Sequence, residues 1–563
     1  MLLVIVNWIY LTVTTFLLGT AFAKFVKRVL GWEMRSTAEI VFYGMICAAV
    51  YAQVFSLSGG VSALANGILL AVCIVAAFVF WGNIKSTIAR SVKESGRGYC
   101  LIAAALALVW AYCTSRGYMH YDSDLYHAQS IRWIEEYGIV PGLGNIHVRF
   151  AYNSSFFALS ALYSMKFLGG QSLHTVNGFF ALLLSLEVLK AFRLKRFRMA
   201  GGGRMFQLSD FARLGAFYYL TVLYRDIVAP ASDYAVMCVV FFIVIRWLAH
   251  LEQKEHPIAP YALLCVAGVY AVTLKLTAGV ILLLVIKPAY LLLKEKRGKE
   301  IAVSLAMGVL VLAPWVIRTA LISGYLLYPF PALDVLSADW KIPAQAAARD
   351  AAEIKTWARG LNNAALVGIP ITEWFPYWFS TMLPSLGKLF VAADFVCAGL
   401  WLCLMTKAVI RLRKKKTLQG EWDGLLVLAS AVFSYVFWQL SAPLLRYGYA
   451  YVLLVIVLTA GILYQRWKAP AAAERVFGIL VLAFVLVKAV TLARYAWSVS
   501  DEPYYIVQQD YGSYELDSFE VNGVRFYYPK SGDRTGYEAF PAVPAEIEFE
   551  FRGEGMQDGF RRP

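Results

Sequence analysis

The chain has 563 residues, of which 60% are hydrophobic and 16% charged, and its formal net charge is +15. Soluble proteins are about 45–50% apolar and about 25% charged, so this composition excludes an ordinary soluble protein, a disordered chain and a secreted disulfide scaffold. The positive charge alone would fit nucleic-acid binding, so the placement of the basic residues matters.

Apolar runs recur along most of the chain, and many are close to the roughly 20 residues that cross a bilayer as a helix. They cover about 1–22, 37–57, 62–82, 99–114, 171–191, 212–228, 232–248, 258–273, 276–293, 300–321, 385–407, 423–441, 446–466 and 475–494. Residues 1–496 are therefore predicted to form an α-helical polytopic membrane domain with about 14 transmembrane helices.

The first run is predicted to be a retained helix and not a signal peptide. A signal peptide begins with a basic segment, but residues 1–10 carry no charge, and Lys24, Lys27 and Arg28 follow the run instead. Basic residues collect on the cytoplasmic side of membrane proteins. We therefore expect the N-terminus to lie outside.

If successive predicted spans cross the membrane in opposite directions, the basic loops fall inside and the less basic segments fall outside. The predicted cytoplasmic loops are 83–98, 190–213, 287–300 and 408–416, and the predicted external segments are 115–150, 324–384 and the tail 497–563. If residues 153–168 also crossed, the basic run 193–198 would face outward, so we expect an interfacial or re-entrant helix there. The positive charge then reflects topology, and no nucleic-acid partner is predicted.

The tail from residue 497 onward differs in pattern from the membrane domain. Its residues alternate in places, as in 521–528 and 546–551, and turn signals such as Asn522-Gly523 separate these stretches. This pattern predicts a small β-rich external appendage.

An acidic segment opens the external loop 115–150. It reads Tyr121-Asp122-Ser123-Asp124-Leu125-Tyr126-His127, and the aromatic residues Tyr126, Trp133 and Tyr137 then lie on one stripe of a helix that ends near Gly138. Such an amphipathic helix is expected at the membrane surface. The two acids either cap this helix or serve as a general base for a hydroxyl. The spacing of His120, His127 and His147 fits no metal-ligand pattern, so no metal site is predicted.

Charged residues also lie within or beside the predicted spans. Lys275, Arg318 and Arg446 each interrupt or border an apolar run, and charges at membrane depth point to a functional site unless they snorkel to the interface. Asp233 opens a span after Ala229-Pro230-Ala231-Ser232. It either caps that helix or is a second acid of the same cavity.

Taken together, these motifs resemble those of the glycosyltransferase C superfamily, which are multi-spanning enzymes that use sugars linked to lipid phosphates. The similar stretches are Tyr121–Tyr126, Ala229–Asp233, Leu274-Lys275-Leu276-Thr277, Ala313–Arg318 with Gly324-Tyr325 and Tyr328-Pro329-Phe330, and Pro443–Tyr447. More narrowly, the chain resembles a bacterial family of multi-spanning membrane proteins without a functional name. That likeness rests on Asp122…Leu125-Tyr126-His127, Val140–Asn145, Asn153-Ser154-Ser155, Asp339–Pro343 and the closing Arg552-Gly553…Asp558–Arg561.

The superfamily resemblance implies a GT-C-like fold and an inverting transfer of sugar from a polyprenyl-phosphate donor to a cell-envelope glycan or lipid acceptor. It implies Asp122 and Asp124 as catalytic acids, and as substrate-binding residues Tyr126, His127, Arg149, Asp233, Lys275, Arg318 and Arg446. No cofactor is expected, except a divalent metal if the donor is a pyrophosphate. The implied location is the bacterial inner membrane. A polysaccharide polymerase and a secondary transporter are the alternatives.

Overall fold

The structure is a computed structural model that describes residues 1–192, 205–413, 421–467, 470–497 and 503–563. Its α-helices are α1 Leu2–Leu30, α2 Thr37–Phe55, α3 Ala63–Val79, α4 Trp81–Ser115, α5 Ala128–Glu136, α6 Ser155–Tyr163, α7 Lys166–Gly169, α8 Val176–Val188, α9 Leu208–Val222, α10 Ser232–Leu251, α11 Ala259–Leu274, α12 Ile286–Lys294, α13 Gly298–Ser323, α14 Ala344–Ala358, α15 Ile371–Thr381, α16 Ser385–Arg413, α17 Glu421–Ser441, α18 Tyr449–Arg466 and α19 Ala471–Trp497. The strands are β1 Leu516–Val521, β2 Val524–Pro529, β3 Glu550–Phe551 and β4 Phe560–Arg561.

The described residues contain ten helices that are long and apolar enough to cross a membrane. An eleventh span results if α3 and the first part of α4, which meet at an angle of 82°, count as one. The prediction of a polytopic helical membrane protein is therefore confirmed. The count of fourteen is not, because α8, α9 and α11 have 13, 15 and 16 residues, fewer than the roughly 20 that a span needs. Parts of the predicted loops 190–213 and 408–416 lie outside the described residues.

Helix α10 lies at the centre of the bundle, since 83% of its most apolar 18-residue stretch is buried within the protein. Helices α1 and α2 cross nearby in backbone contact, since a Cβ on Gly44 would lie 1.7 Å from the carbonyl oxygen of Thr15. Small residues permit this close approach of helices in a membrane, where packing replaces the hydrophobic effect. By contrast, only 17% of the corresponding stretch of α19 is buried, which places this helix at the edge of the bundle.

The segment 153–168, predicted to be interfacial or re-entrant, contains the nine-residue helix α6. At 1.5 Å per residue it is about 13.5 Å long, less than half of a bilayer core. All nine residues are buried, and hydrogen bonds from Ser154 to the Leu274 carbonyl and between Ser155 and Thr273 join it to the end of α11. Residues 155–163 thus form a short helix inside the bundle, whereas Phe167 and Leu168 at the end of the segment are exposed.

The tail, residues 503–563, packs on one end of the bundle, which we call the tail side. The predicted β character of the tail is confirmed: β1 pairs with β2 and β3 with β4 in two small antiparallel sheets. Asn522 and Gly523 turn the first hairpin with φ of 49° and 78°, as a type I′ turn requires.

The tail also covers the aromatic face of α5. Trp133 is fully buried and its ring lies 4.7 Å from that of Phe540 and 5.8 Å from that of Phe560. The face that the sequence assigned to the membrane surface therefore packs against protein. Residues 506–509 run along the bundle. There the Leu3 amide donates a hydrogen bond to the Ile506 carbonyl, and the Gln509 amide donates one to the Ser115 carbonyl.

Candidate functional site

Four charged side chains from distant parts of the sequence meet on the tail side, each at a break or an end of a helix. Asp122 precedes the π-helical turn Ser123–His127, and Asp233 is in the first turn of α10. Lys275 is the extended residue at which α11 ends, and Arg446 is in the short 3-10 turn between α17 and α18. We call these four residues the ion-pair cluster.

Arg446 is the centre of the cluster. Its guanidinium donates hydrogen bonds to Asp122 Oδ2 at 2.5 Å, to His120 Nδ1 at 2.6 Å and to the Tyr447 hydroxyl at 3.0 Å. Its Nε lies 3.8 Å from Asp233 Oδ2, and this buried atom has no hydrogen-bond partner among the described residues. Arg446 thus joins both acids, tightly on one side and loosely on the other.

Lys275 completes the cluster from α11. Its ammonium forms an ion pair with Asp233 and lies 3.4 Å from the centre of the Tyr447 ring, in a cation–π contact. The four charged side chains are between 14% and 24% exposed. They are therefore largely shielded from bulk water, although each keeps some exposed surface.

The proton of His120 can be assigned from its neighbours. Nδ1 faces two donors, the Arg446 guanidinium and the Asp122 amide at 3.2 Å, so it is the acceptor and a neutral ring carries its proton on Nε2. Burial, followed by the charge of Arg446, lowers the pKa of His120. The 3.5 Å separation between this Nδ1 and Asp122 Oδ2 is therefore not an ion pair.

Asp122 is held as a carboxylate. Burial pushes its pKa upward, but the charge of Arg446 and the hydrogen bond from this residue outweigh burial and hold the pKa of Asp122 below its ordinary value. Its side chain is directed at Arg446 and not at the N–H groups of the following turn. Asp122 therefore does not cap the turn that follows it.

Asp124 lies only two residues further on but points to the tail. Its carboxylate accepts hydrogen bonds from the Gly512 amide and the Tyr514 hydroxyl, both at 2.9 Å. Its carbonyl accepts the amides of Thr535 at 2.9 Å and Gly536 at 3.0 Å. The structure thus separates the two acids that the sequence grouped as catalytic, and Asp124 attaches the tail to the turn that carries Asp122.

Tyr126 and His127 lie on the same turn as Asp122. Burial, and then the negative charge of Asp122, raise the pKa of the Tyr126 hydroxyl. His127 packs against Tyr126 and Phe157, with ring centres 4.4 Å and 5.2 Å apart, and burial lowers its pKa to about 3. His127 is therefore a neutral packed side chain, whereas Tyr126 borders the ion-pair cluster.

Arg149 belongs to a second group beside the cluster. Its Nε is 3.1 Å from Asp350 of α14, and the other oxygen of Asp350 accepts bonds from the hydroxyls of Tyr152 at 2.5 Å and Tyr328 at 3.2 Å. The charge of Arg149 also interacts with Tyr126. The long segment 324–384 thereby contributes a carboxylate next to the candidate site.

Arg318, also predicted to bind substrate, has structural contacts. It is 2% exposed, donates a hydrogen bond to Ser56, and places its Nε 3.1 Å from Asn153 Oδ1. Asn153 in turn bonds the carbonyl of Trp315 and the hydroxyl of Thr319. These contacts of Arg318 join α13 to the end of α2 and to the segment just before α6, and the structure does not place Arg318 in the ion-pair cluster.

Two acids near the site were missed by the sequence reasoning. Asp350 falls on the buried stripe of α14 with Ala347, and an acid on an apolar stripe was the signal that could have revealed it. Asp226 lies in a short turn before α10. Burial raises its pKa to about 6, although the positive charge of Arg446 acts in the opposite direction. Nothing in its local sequence distinguishes this acid. No group of three metal-binding side chains occurs in the described part of the chain.

Comparison with known proteins gives one match. Residues 1–453 match the model of a family described as a domain of unknown function (DUF8201). The match spans about four-fifths of the chain, so the chain belongs to this family. Neither a curated protein nor a solved structure matches it.

Proposed function

We propose that this member of the DUF8201 family is an inverting glycosyltransferase of the GT-C type. It would move a sugar from a polyprenyl-phosphate donor to a hydroxyl of a cell-envelope glycan or lipid, on the outer face of the bacterial inner membrane. The observation that supports this proposal is the ion-pair cluster: at one end of the bundle, a carboxylate lies beside two cations, and all of these side chains are partly exposed.

In this mechanism Asp122 is the general base. Its carboxylate takes the proton of the acceptor hydroxyl as the oxygen attacks the anomeric carbon of the donor, and the bond from that carbon to the phosphate oxygen breaks. The phosphate leaves with the electron pair, and Arg446 and Lys275 stabilise its growing negative charge. Attack opposite to the leaving group inverts the configuration of the anomeric carbon.

Two cations suit a monophosphate leaving group, because each forms charge-assisted hydrogen bonds with phosphate oxygens. A pyrophosphate donor would carry more charge and would favour a divalent metal with carboxylate ligands. Asp122 and Asp233 already pair with Arg446 and Lys275. We therefore propose a donor in which a single phosphate links the sugar to the polyprenyl chain.

The proposed orientation places the tail side outside the cell. Basic residues are expected to remain in the cytoplasm, and the basic loops predicted from the sequence alternate with the segments that form the tail side. The N-terminus and the tail would then both be external. A cysteine placed at an exposed tail position such as Asp517 should react with a membrane-impermeant maleimide in intact spheroplasts.

The test of the function is Asp122→Asn, with expression and membrane insertion verified. Loss of a positioned general base costs about 10²–10⁴-fold in rate, so sugar transfer should fall by that amount. The matched control is Asp517→Asn, since Asp517 is exposed on β1 and, among the described residues, its carboxylate accepts a hydrogen bond only from the Ser518 amide. Unchanged transfer by the Asp122 variant would refute the assignment. Comparing the surface glycans of a deletion strain and its parent identifies the product.

One observation favours a second candidate, a transporter. Asp394 in α16 is fully buried, and neither of its carboxyl oxygens has a hydrogen-bond partner in the described part of the chain. Acids inside a membrane bundle often mark ion or proton pathways. If Asp394→Asn abolished a proton-driven solute uptake by proteoliposomes while Asp122→Asn did not, the transporter would replace the glycosyltransferase.

A further inference from the structure

We infer that Asp122 and Asp233 occupy an anion-binding site in the ligand-free protein. The phosphate group of a lipid phosphate ester, either the phosphodiester of the donor or the monoester left after transfer, binds to Arg446 and Lys275 in competition with these two carboxylates. The identity of the ligand rests on the proposed function. The competition itself is argued from the contacts of the cluster.

The first step concerns Asp233, whose two oxygens are directed at two different cations. One oxygen pairs with the Lys275 ammonium, while the other lies 3.8 Å from Arg446 Nε, too far for a hydrogen bond. A carboxylate that bridges two cations imitates part of a phosphate group, but it leaves this Nε unsatisfied. A phosphate oxygen placed between the two cations would supply the missing acceptor.

The second step concerns the cost of an empty site. Unpaired cations that are largely removed from water are unfavourable, and removing one partner of such a pair is more costly than exchanging it. The two acids pair with both cations while no ligand is bound. An arriving phosphate can therefore take the place of a carboxylate, one ion pair for another.

The third step links ligand binding to the base. Arg446 holds the Asp122 carboxylate at 2.5 Å and thereby makes it a weak base. A phosphate that takes over the Arg446 hydrogen bonds weakens this hold, so Asp122 becomes a better proton acceptor when the donor is bound. Acceptor activation thus follows donor binding, and the site enforces an ordered reaction.

The experiment measures binding of farnesyl monophosphate to the purified full-length protein in nanodiscs. Inorganic phosphate and farnesol are the headgroup-only and tail-only probes. Asp233→Asn removes a competitor and keeps the shape of the side chain, so farnesyl monophosphate should bind about 5- to 10-fold more tightly than to the wild type. Asp233→Glu keeps the charge and should show no such gain, whereas Lys275→Gln should weaken binding.

Asp122→Asn provides the second variant, in case loss of the Asp233 charge prevents folding. It should also bind farnesyl monophosphate more tightly, and the thermal stability of both variants should rise more with this probe than that of the wild type. Equal or weaker binding by every folded Asp→Asn variant overturns the inference, as does a gain seen equally with farnesol.

The two proposals fail separately. If the Asp→Asn variants bind farnesyl monophosphate more tightly but the wild-type protein transfers no sugar, the proposed competition is supported and the proposed glycosyltransferase activity is refuted. Sugar transfer that depends on Asp122, with unchanged affinity for farnesyl monophosphate in Asp233→Asn, would refute the competition alone.

Discussion

Asp124→Asn tests whether this acid attaches the tail or acts on a substrate. Asp124 is 5% exposed, and its carboxylate accepts two hydrogen bonds from the tail, both 2.9 Å long. The variant keeps the shape and one oxygen but removes the charge. The Gly512 amide can then bond only a neutral acceptor, and the Tyr514 hydroxyl faces either an amide group or an oxygen without charge.

The size of the effect follows from these two bonds. A hydrogen bond to a charged group contributes about 1.5–3 kcal/mol, and a neutral one about 0.5–1.5 kcal/mol. Replacing the two charged bonds by weaker ones should therefore destabilise tail docking by about 2 kcal/mol, which corresponds to about a 30-fold change in the docking equilibrium. The bonds from Thr535 and Gly536 go to the Asp124 main chain and remain.

Hydrogen–deuterium exchange of the purified protein provides the assay. Peptides that contain Gly512 should exchange about 30-fold faster in Asp124→Asn, because their amides exchange when the tail opens. Asp517→Asn is the matched control and should leave exchange unchanged. If Asp124→Asn abolished sugar transfer while exchange around Gly512 stayed as in the wild type, Asp124 would act on the substrate and the attachment role would be refuted.

Three further predictions concern stability, measured by thermal unfolding in detergent. Gly44→Ala should lower stability by about 1–3 kcal/mol through overpacking, because its Cβ would meet the backbone of α1 at 1.7 Å, whereas Gly67→Ala, which has open space, should not. Asp350→Asn should lower stability by about 3 kcal/mol, because it breaks a largely buried ion pair. Removing the exposed charge of Arg349 should lower stability by at most about 1 kcal/mol. Equal losses of stability in the two variants would contradict the argument from burial. The pKa of His127 falls from 6.5 to about 3 on folding, so its contribution is fully present above pH 6.5 and is lost as the pH falls from 6.5 towards 3. Consequently His127→Asn should flatten the decline of the unfolding temperature between pH 7 and pH 4, and parallel profiles would contradict this.

The sequence predicted those features that depend on one stretch of chain. A run of about 20 apolar residues indicates a membrane span from its own composition, and inside the membrane it must be helical because hydrocarbon offers no hydrogen bonds to a non-helical backbone. Asn522-Gly523 predicts a tight hairpin for a similar reason, since both residues tolerate positive φ. Shorter runs such as α8, with 13 residues, are ambiguous, because a buried helix and a short span share the same composition.

Contacts over long sequence distances could not be predicted. The aromatic stripe of α5 looks the same whether lipid or protein covers it, and the cover, Phe540 and Phe560, lies about 400 residues away. Asp122 and Asp124 are the same residue type and lie two positions apart, so local patterns could not tell that Asp124 faces the tail and Asp122 faces Arg446. Asp122 precedes the π-helical turn, whereas Asp124 lies within it.

The charged residues of the cluster were individually visible because each interrupts an apolar context, where a charge needs a reason. Their pairing was not visible, and the pairing determines what they do. All four lie within residues 1–453, the part that matches the family model, whereas the tail that bonds Asp124 lies beyond it. The chemistry we propose therefore belongs to the family region, and the tail supports it by fixing the turn on which Asp122 sits. A tail deletion that preserved the bundle should then slow sugar transfer while leaving farnesyl monophosphate bound to Arg446 and Lys275, because among the described residues the hydrogen bonds and ion pairs of both cations go to residues outside the tail.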